Sequence, residues 1–211
     1  MAVITIARQF GAGGKTMGTV IAEKLGYTLI DEEIVELVAR EANVSSDWVD
    51  DIERKAGSEG LISRILNRFG PLQEGYVKRA VESNPELMDG KRYVALLCDI
   101  IPRIAAQDNV IIVGRGAQYI LAERPDTFHF LLIADLVHRI EFIREHYHLD
   151  EKQARIVVAK QSKRRLQLYR FFGRIDYDNP DLYHLVFNMN KVTMDSASAI
   201  ICQLVAPQAA S

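Results

Sequence analysis

The stretch Val3 to Thr16, VITIARQFGAGGKT, constrains the fold more than any other part of the chain. It opens on an uninterrupted β-branched run, VITIA, the composition of a strand buried on both faces. Three glycines follow, and then Met17, Val20, Ile21 and Leu25 recur at helical spacing, with Gly26 placed to end the helix. YTLID, ending at Asp31, reads as a second short strand. Strand, glycine loop, helix and strand in such a short span form the repeating unit of a parallel sheet.

The loop carries the parts needed to hold phosphate. Glycines let the backbone approach closely and adopt φ values that other residues resist. Successive N–H groups can then converge on phosphate oxygens, backed by the positive end of the following helix. Gly11, Gly13 and Gly14 supply the glycines, Lys15 a mobile charge and Thr16 a hydroxyl suited to Mg²⁺. Against the pattern G-x-x-x-x-G-K-[ST], Gly14, Lys15 and Thr16 fit, but Gln9 occupies the place of the first glycine. The expectation is a rearranged, anion-binding loop rather than a plain turn.

Further strands are expected at NVIIVGRG, TFHFLLIA and YHLVFN, and helices over YVALLCDIIPRIAAQ, bent or ended near Pro102, and from His138 to about Phe172, with Gly173 as the exit. From Asp31 to about Gly70 the pattern is helical and acidic, with Ser45 or Ser46 as an N-cap. With 211 residues and 48% hydrophobic content, one domain with a substantial core is expected. A net charge of −2 gives no general attraction to nucleic acid or membrane. No apolar run approaches the roughly 18 residues of a membrane span, and the first apolar run begins at Val3, so a cytoplasmic location without a leader is expected. Cys98 and Cys202 have no metal or redox spacing, and the five histidines share no pattern with acids or cysteines that would favour a metal.

Charge is unevenly placed. Residues 152–174 contain Lys152, Arg155, Lys160, Lys163, Arg164, Arg165, Arg170 and Arg174 and no acid, a composition suited to an anion. Lys160 pairs with Arg164, and Lys163 with Arg170, on shared helical faces, while Arg165 falls elsewhere. Tyr169, Phe171 and Phe172 interleave with Arg170 and Arg174, as single-stranded RNA binding would require, but the near-neutral total charge counts against nucleic acid. Arg115 follows the strand VIIV, at the carboxyl end where α/β sheets place ligands. Asp31 could sit near Mg²⁺, orient a water or N-cap the next helix.

These motifs resemble the cytidylate kinase-like family, a branch of the P-loop nucleoside monophosphate kinases. The resemblance rests on ARQFGAGG, DEEI, VGRG at 113–116, KRRLQLYRFF at 163–172 and DNPDLYHLVFN at 178–188, which span nearly the whole chain in the family's order. It implies a P-loop NTPase fold: a five-stranded parallel sheet with helices on both faces, a helical acceptor-side insertion over 31–107 and a basic lid over 150–178. It implies ATP and Mg²⁺ as cofactors and phosphoryl transfer to a nucleoside monophosphate such as CMP. Gly11, Ala12, Gly13, Gly14, Lys15 and Thr16, with Arg8, would hold the donor, and Thr16 and Asp31 the metal. Lys15, Arg115, Lys163, Arg164 and Arg170 would act on the transferring group. Small-molecule nucleotides are the implied partners, with homo-oligomer formation open.

The sequence departs from the family's kinases at several points. Gly14 and Lys15 exchange the usual lysine and glycine, Gly116 stands for an aspartate, and Ser162 stands for an acid before KRR. Glu32, Glu36 and Leu37 occupy positions that hold the monophosphate in the kinases, and glutamates there would repel it. A nucleotide-binding regulator of the same fold, with weak or no kinase activity, is the alternative expectation.

Overall fold

The computed structural model describes residues 2–31, 34, 88–173 and 178–206. Five strands form one parallel sheet: β1 (Val3–Arg8), β2 (Thr28–Ile30), β3 (Val110–Val113), β4 (Thr127–Ile133) and β5 (Leu185–Asn188). Their spatial order is β2-β3-β1-β4-β5, with β1 in the centre. Val3 and Ile4 lie in register with Val110 and Ile111 on β3 and with Thr127 and Phe128 on β4. The chain fills one side of β1 with β3 and β2 and then crosses to the other side for β4. That reversal leaves a crevice at the carboxyl ends of the central strands, where open α/β sheets bind ligands.

The helices are α1 (Gly14–Leu25), α2 (Met88–Ala105), α3 (Ala117–Ile120), α4 (Leu136–Tyr147), α5 (Glu151–Phe171) and α6 (Met194–Val205), with a 3₁₀ turn at Pro180–Leu182. Alternation along the strands sorts them into two layers. Ile4, Ile6, Ile111, Val113, Phe130 and Leu132 face Met17 and Ile21 of α1 and Ala197 and Ile201 of α6. Val3, Val110 and Ile112 face the opposite way, against Leu97, Ile101 and Ile104 of α2. Each fully buried isoleucine contributes about 1.5–3 kcal/mol relative to exposure. Helices therefore cover both faces, as the uninterrupted apolar strands require.

Three local findings refine the sequence expectations. The helix carrying Pro102 runs on to Ala105 and ends there, three residues later, with the Ala106 N–H donating to the Pro102 carbonyl. Because Pro102 sits in the last turn, the ladder bond it forfeits is one of the final few, and Cys98, one turn earlier, is exposed to solvent. The expected helix from His138 to Phe172 is two helices. His148 turns left-handed at φ 53°, and Asp150 opens α5 with a reciprocal capping box to Gln153. Finally, α2, the carboxyl part of the expected 31–107 insertion, packs directly on the sheet. Residues 32–33 and 35–87 of that insertion, including Glu32, Glu36, Leu37 and Ser45–Ser46, lie outside the described residues, as does Arg174. No helix among the described residues is long and apolar enough to cross a membrane.

Candidate functional site

The glycine loop leaves β1 at Arg8 and enters α1 at Gly14, at the carboxyl edge of the central strand. Gly11 and Gly13 take φ values of 90° and 82°, which explains glycine at both. Gly13 is the N-cap of α1, and no side chain caps it. The first N–H groups of this helix thus meet an approaching anion with the helix dipole behind them. Gly11, Ala12, Gly13 and Gly14 are buried, Lys15 is exposed and Thr16 half-buried in the first turn. This donor set fits a nucleotide's phosphates. Thr16 fits a Mg²⁺ that keeps most of its ligands as water and phosphate oxygen. No cluster of three or more His, Cys, Asp or Glu side chains suited to a metal occurs among the described residues.

Arg8 crosses the floor of the loop. A Cβ on Gly14 would meet Arg8 Cγ at 2.7 Å, and one on Gly114 would meet Arg8 Nη1 at 1.8 Å. Two glycines from different strand ends thus make the seat for one side chain. Its guanidinium reaches Asp31 at 3.7 Å, at the end of β2, where the carboxylate is only 8% exposed. Burial lowers the Arg8 pKa from its usual value; Asp31 opposes the shift, and Arg115 and Arg165 add to it. The three arginines therefore share one electrostatic field.

Arg115 is presented by an unusual turn. Gly114, Arg115 and Gly116 are all left-handed, at φ 77°, 55° and 72°. A non-glycine residue held there costs about 1–2 kcal/mol, which the packing on either side must offset. That packing comes from Arg8 over Gly114 and from the Phe172 ring, 2.4 Å from where a Gly116 Cβ would stand. Phe172, the C-cap of α5, and Tyr169 within it also contact Tyr119 of α3, with ring centroids 5.6 Å and 5.3 Å apart. Tyr183 accepts a bond from Gln118 at 3.4 Å. Burial raises the pKa of both Tyr119 and Tyr183, so both phenols are neutral near pH 7.

Arg165, which the face analysis set aside, turns inward and is only 14% exposed. It bonds Asp178 with both terminal nitrogens, one at 3.2 Å, and stacks 4.8 Å from the Tyr169 centroid. Burial acts to lower its pKa, but Tyr169 and Asp178 raise it overall, so its charge is held firmly. Arg139 of α4 donates to Ser162 Oγ at 3.3 Å and to the Phe10 carbonyl at 3.5 Å. Its pKa is lowered by burial first and Arg165 second. The hydroxyl of Ser162, where the family usually has an acid, thus receives an arginine. A Cβ on Gly11 would strike the Arg139 carbonyl oxygen at 2.7 Å, so α4 presses directly on the loop.

Of the residues singled out from sequence, Arg8, Asp31 and Arg115 gather at the ends of β1, β2 and β3, beside the loop residues Gly11 to Thr16. Lys163 and Arg170 are exposed on α5, and Arg164 is half-buried. Sequence reasoning did not single out Arg139, Arg165 or Asp178 for this site. It treated Gln9 only as a departure, whereas its side chain accepts from the Ala134 N–H at 3.1 Å and donates to Asp178 at 3.3 Å. Asp178 is one of three aspartates closely following the basic block, with Asp176 and Asp181, and nothing in the spacing tied it to Arg165.

A parallel sheet of order 2-3-1-4-5, with a glycine loop opening a helix at its central strand and arginines converging there, defines a P-loop α/β protein of the kinase type. Residues 3–191 match the cytidylate kinase-like family, and the chain belongs to that family. Among solved structures it is similar to an uncharacterized protein from Eubacterium ventriosum, at 19% identity over 99% of this chain and 100% of that one, with a TM-score of 0.66. A shikimate kinase from Bacteroides thetaiotaomicron is similar at 13% identity over 97% and 98% of the two chains, with a TM-score of 0.50. At these identities the likeness establishes the shared fold. No curated protein matches the chain.

Proposed function

We propose that this protein is an ATP-dependent phosphotransferase whose acceptor is a small molecule, a nucleoside monophosphate such as CMP. The observation that carries this reading is the uncapped N-terminus of α1 beside the shared field of Arg8, Arg115 and Arg165. Gly11 to Thr16 hold the donor phosphates, with Thr16 and Asp31 on the Mg²⁺ side. Lys15, Arg115 and the α5 cations Lys163, Arg164 and Arg170, acting as a lid over 150–178, stabilise charge on the phosphoryl group in transit. Such transfer needs positioning and electrostatics more than covalent help. The fold and the two free thiols, Cys98 and Cys202, support action in the reducing cytoplasm.

A specific observation favours a second reading, a nucleotide-binding regulator of the same fold. Arg8 and Arg165 each spend their charge on a carboxylate, Asp31 and Asp178, leaving less net positive charge for phosphate. Calorimetric titration with MgATP, paired with CMP-dependent ADP release, separates the readings. The phosphotransferase binds MgATP and releases ADP when acceptor is added. A regulator binds MgATP and releases none, and absence of binding contradicts both.

A further inference from the structure

The side chain of Gln9 makes two bonds that a glycine at this place in the loop pattern would forgo. Its carbonyl oxygen accepts from the Ala134 N–H, just beyond β4, and its amide nitrogen donates to Asp178 Oδ2. Asp178 lies beyond α5, 169 residues away in sequence, and its two oxygens receive both terminal nitrogens of Arg165. One carboxylate thus fastens the glycine loop to the arginine that shares a field with Arg8 and Arg115. The guanidinium plane is fixed twice, in its plane by the two oxygens and from one face by the Tyr169 ring at 4.8 Å. A bidentate pair is directional in a way that a flexible lysine is not.

We propose that Gln9 and Asp178 form a positioning bridge, which sets the orientation of Arg165 relative to the phosphate loop and so makes Arg165 a transition-state cation of the transfer reaction. The inference deepens the phosphotransferase reading and rests on it for the reaction itself. The bridge assigns a purpose to the missing first glycine: the loop gives up one flexible position for an amide that reports its place to α5. It also accounts for a basic helix whose inward arginine takes its acid from outside the block. Gln9 and Asp178 act through Arg165, and neither needs to touch substrate.

The test uses the full chain and the variants Gln9→Glu, Gln9→Ala, Asp178→Asn and Arg165→Lys. Gln9→Glu keeps an acceptor for the Ala134 N–H but loses the donor to Asp178 and sets two carboxylates side by side, so it isolates the bridge from the loop anchor. With MgATP and an acceptor that the wild type uses, Gln9→Glu and Asp178→Asn should each lower kcat about tenfold. The KM for ATP and the melting temperature should change little by comparison. Gln9→Ala should cost less kcat in the Asp178→Asn background than in the wild type, because the bridge is already broken there and only the Ala134 anchor remains to be lost. Additive losses, or a fall in melting temperature with kcat unchanged, would overturn the bridge.

A second readout is independent of turnover. Nitrogen-15 exchange at the Arg165 guanidinium should show slowed rotation in the wild type, lost in Gln9→Glu and Asp178→Asn. If no acceptor supports turnover but that signature is present and lost as described, the phosphotransferase reading falls and the bridge stands as a structural tie. Free rotation in the wild type, or rotation unchanged by Gln9→Glu, overturns the bridge whatever the enzyme does.

Discussion

At the scale of single residues, the site divides its cations between those that are fixed and those that are exposed. Arg8 is wedged between Gly14 and Gly114 and paired with a buried Asp31, which makes it a structural charge as well as a contributor to the field. Replacing Arg8 with alanine removes the cation facing that buried carboxylate, and losses of about 3 kcal/mol are typical when one partner of a buried pair is removed. Urea unfolding of Arg8→Ala should show a loss of that order, and a change under about 0.5 kcal/mol would contradict the seat described for it. Lys15 is exposed in the first turn of α1 and is the side chain best suited to follow a moving phosphate. Lys15→Ala should lower MgATP affinity or turnover at least about tenfold with little effect on unfolding. Unchanged binding and turnover would move that role to the arginines. Gly114 permits less tolerance than either: a Cβ there collides with Arg8 Nη1, and φ is 77°. Gly114→Ala should therefore lower the melting temperature and turnover together, since it displaces Arg8 and the Arg115 turn at once.

At the scale of elements, β4 carries a titratable group in the sheet itself. His129 is 6% exposed, shares a 2.6 Å bond with the Thr5 hydroxyl across the β1–β4 register, and its backbone N–H donates to His184 Nδ1. Burial first, and His184 second, push its pKa down to about 4. A histidine free in the unfolded chain titrates near 6.5. Between those values the unfolded chain binds the proton that the folded chain refuses, so folding loses stability as pH falls from about 6.5 toward 4. The loss approaches about 3 kcal/mol at the acid end. Urea unfolding between pH 7.5 and 4.5 should show this decline, and His129→Asn should flatten it; an equal slope in both proteins would place the acid sensitivity elsewhere.

The elements also show what the sequence could tell and what it could not. Apolar runs located the five strands, most plainly β1 and β3, whose burial on both faces needs no alternation, while β2 and β5 stand at the sheet edges and are partly exposed. The break between α4 and α5 was written in Asp150 and Gln153, a capping pair hidden inside a continuous amphipathic pattern. The loop, Arg115 and Asp31 were legible because local motifs carry them. Arg165 was not, since the face it shares depends on α5 docking against Tyr119 and on an aspartate beyond Gly173. Arg139 was hidden for the same reason: its contacts to Phe10 and Ser162 are 129 and 23 residues away. Helical spacing ranks residues around their own axis and says nothing about which side the rest of the molecule occupies.

At the scale of the whole molecule, a parallel sheet with helices on both faces brings the ends of β1, β2 and β3 to one edge, and α4 and α5 close over it. The loop, the Arg115 turn and α5 meet through Gln9, Asp178 and Phe172, so the basic helix is tied to the nucleotide end of the fold rather than standing apart. Lys163 and Arg170 remain exposed on that helix. If α5 serves as the lid, changing Lys163, Arg164 and Arg170 together to glutamine should lower turnover about tenfold or more while the melting temperature stays within a few degrees. Equal loss of folding would make the block a structural feature of α5. The most direct test of the central claim is ADP release from MgATP against a panel of nucleoside monophosphates, with shikimate and gluconate included. Acceptor-dependent release, greatest with one nucleoside monophosphate and lowered at least about tenfold in Lys15→Ala, is the result this account predicts. MgATP binding with no release from any acceptor would contradict it.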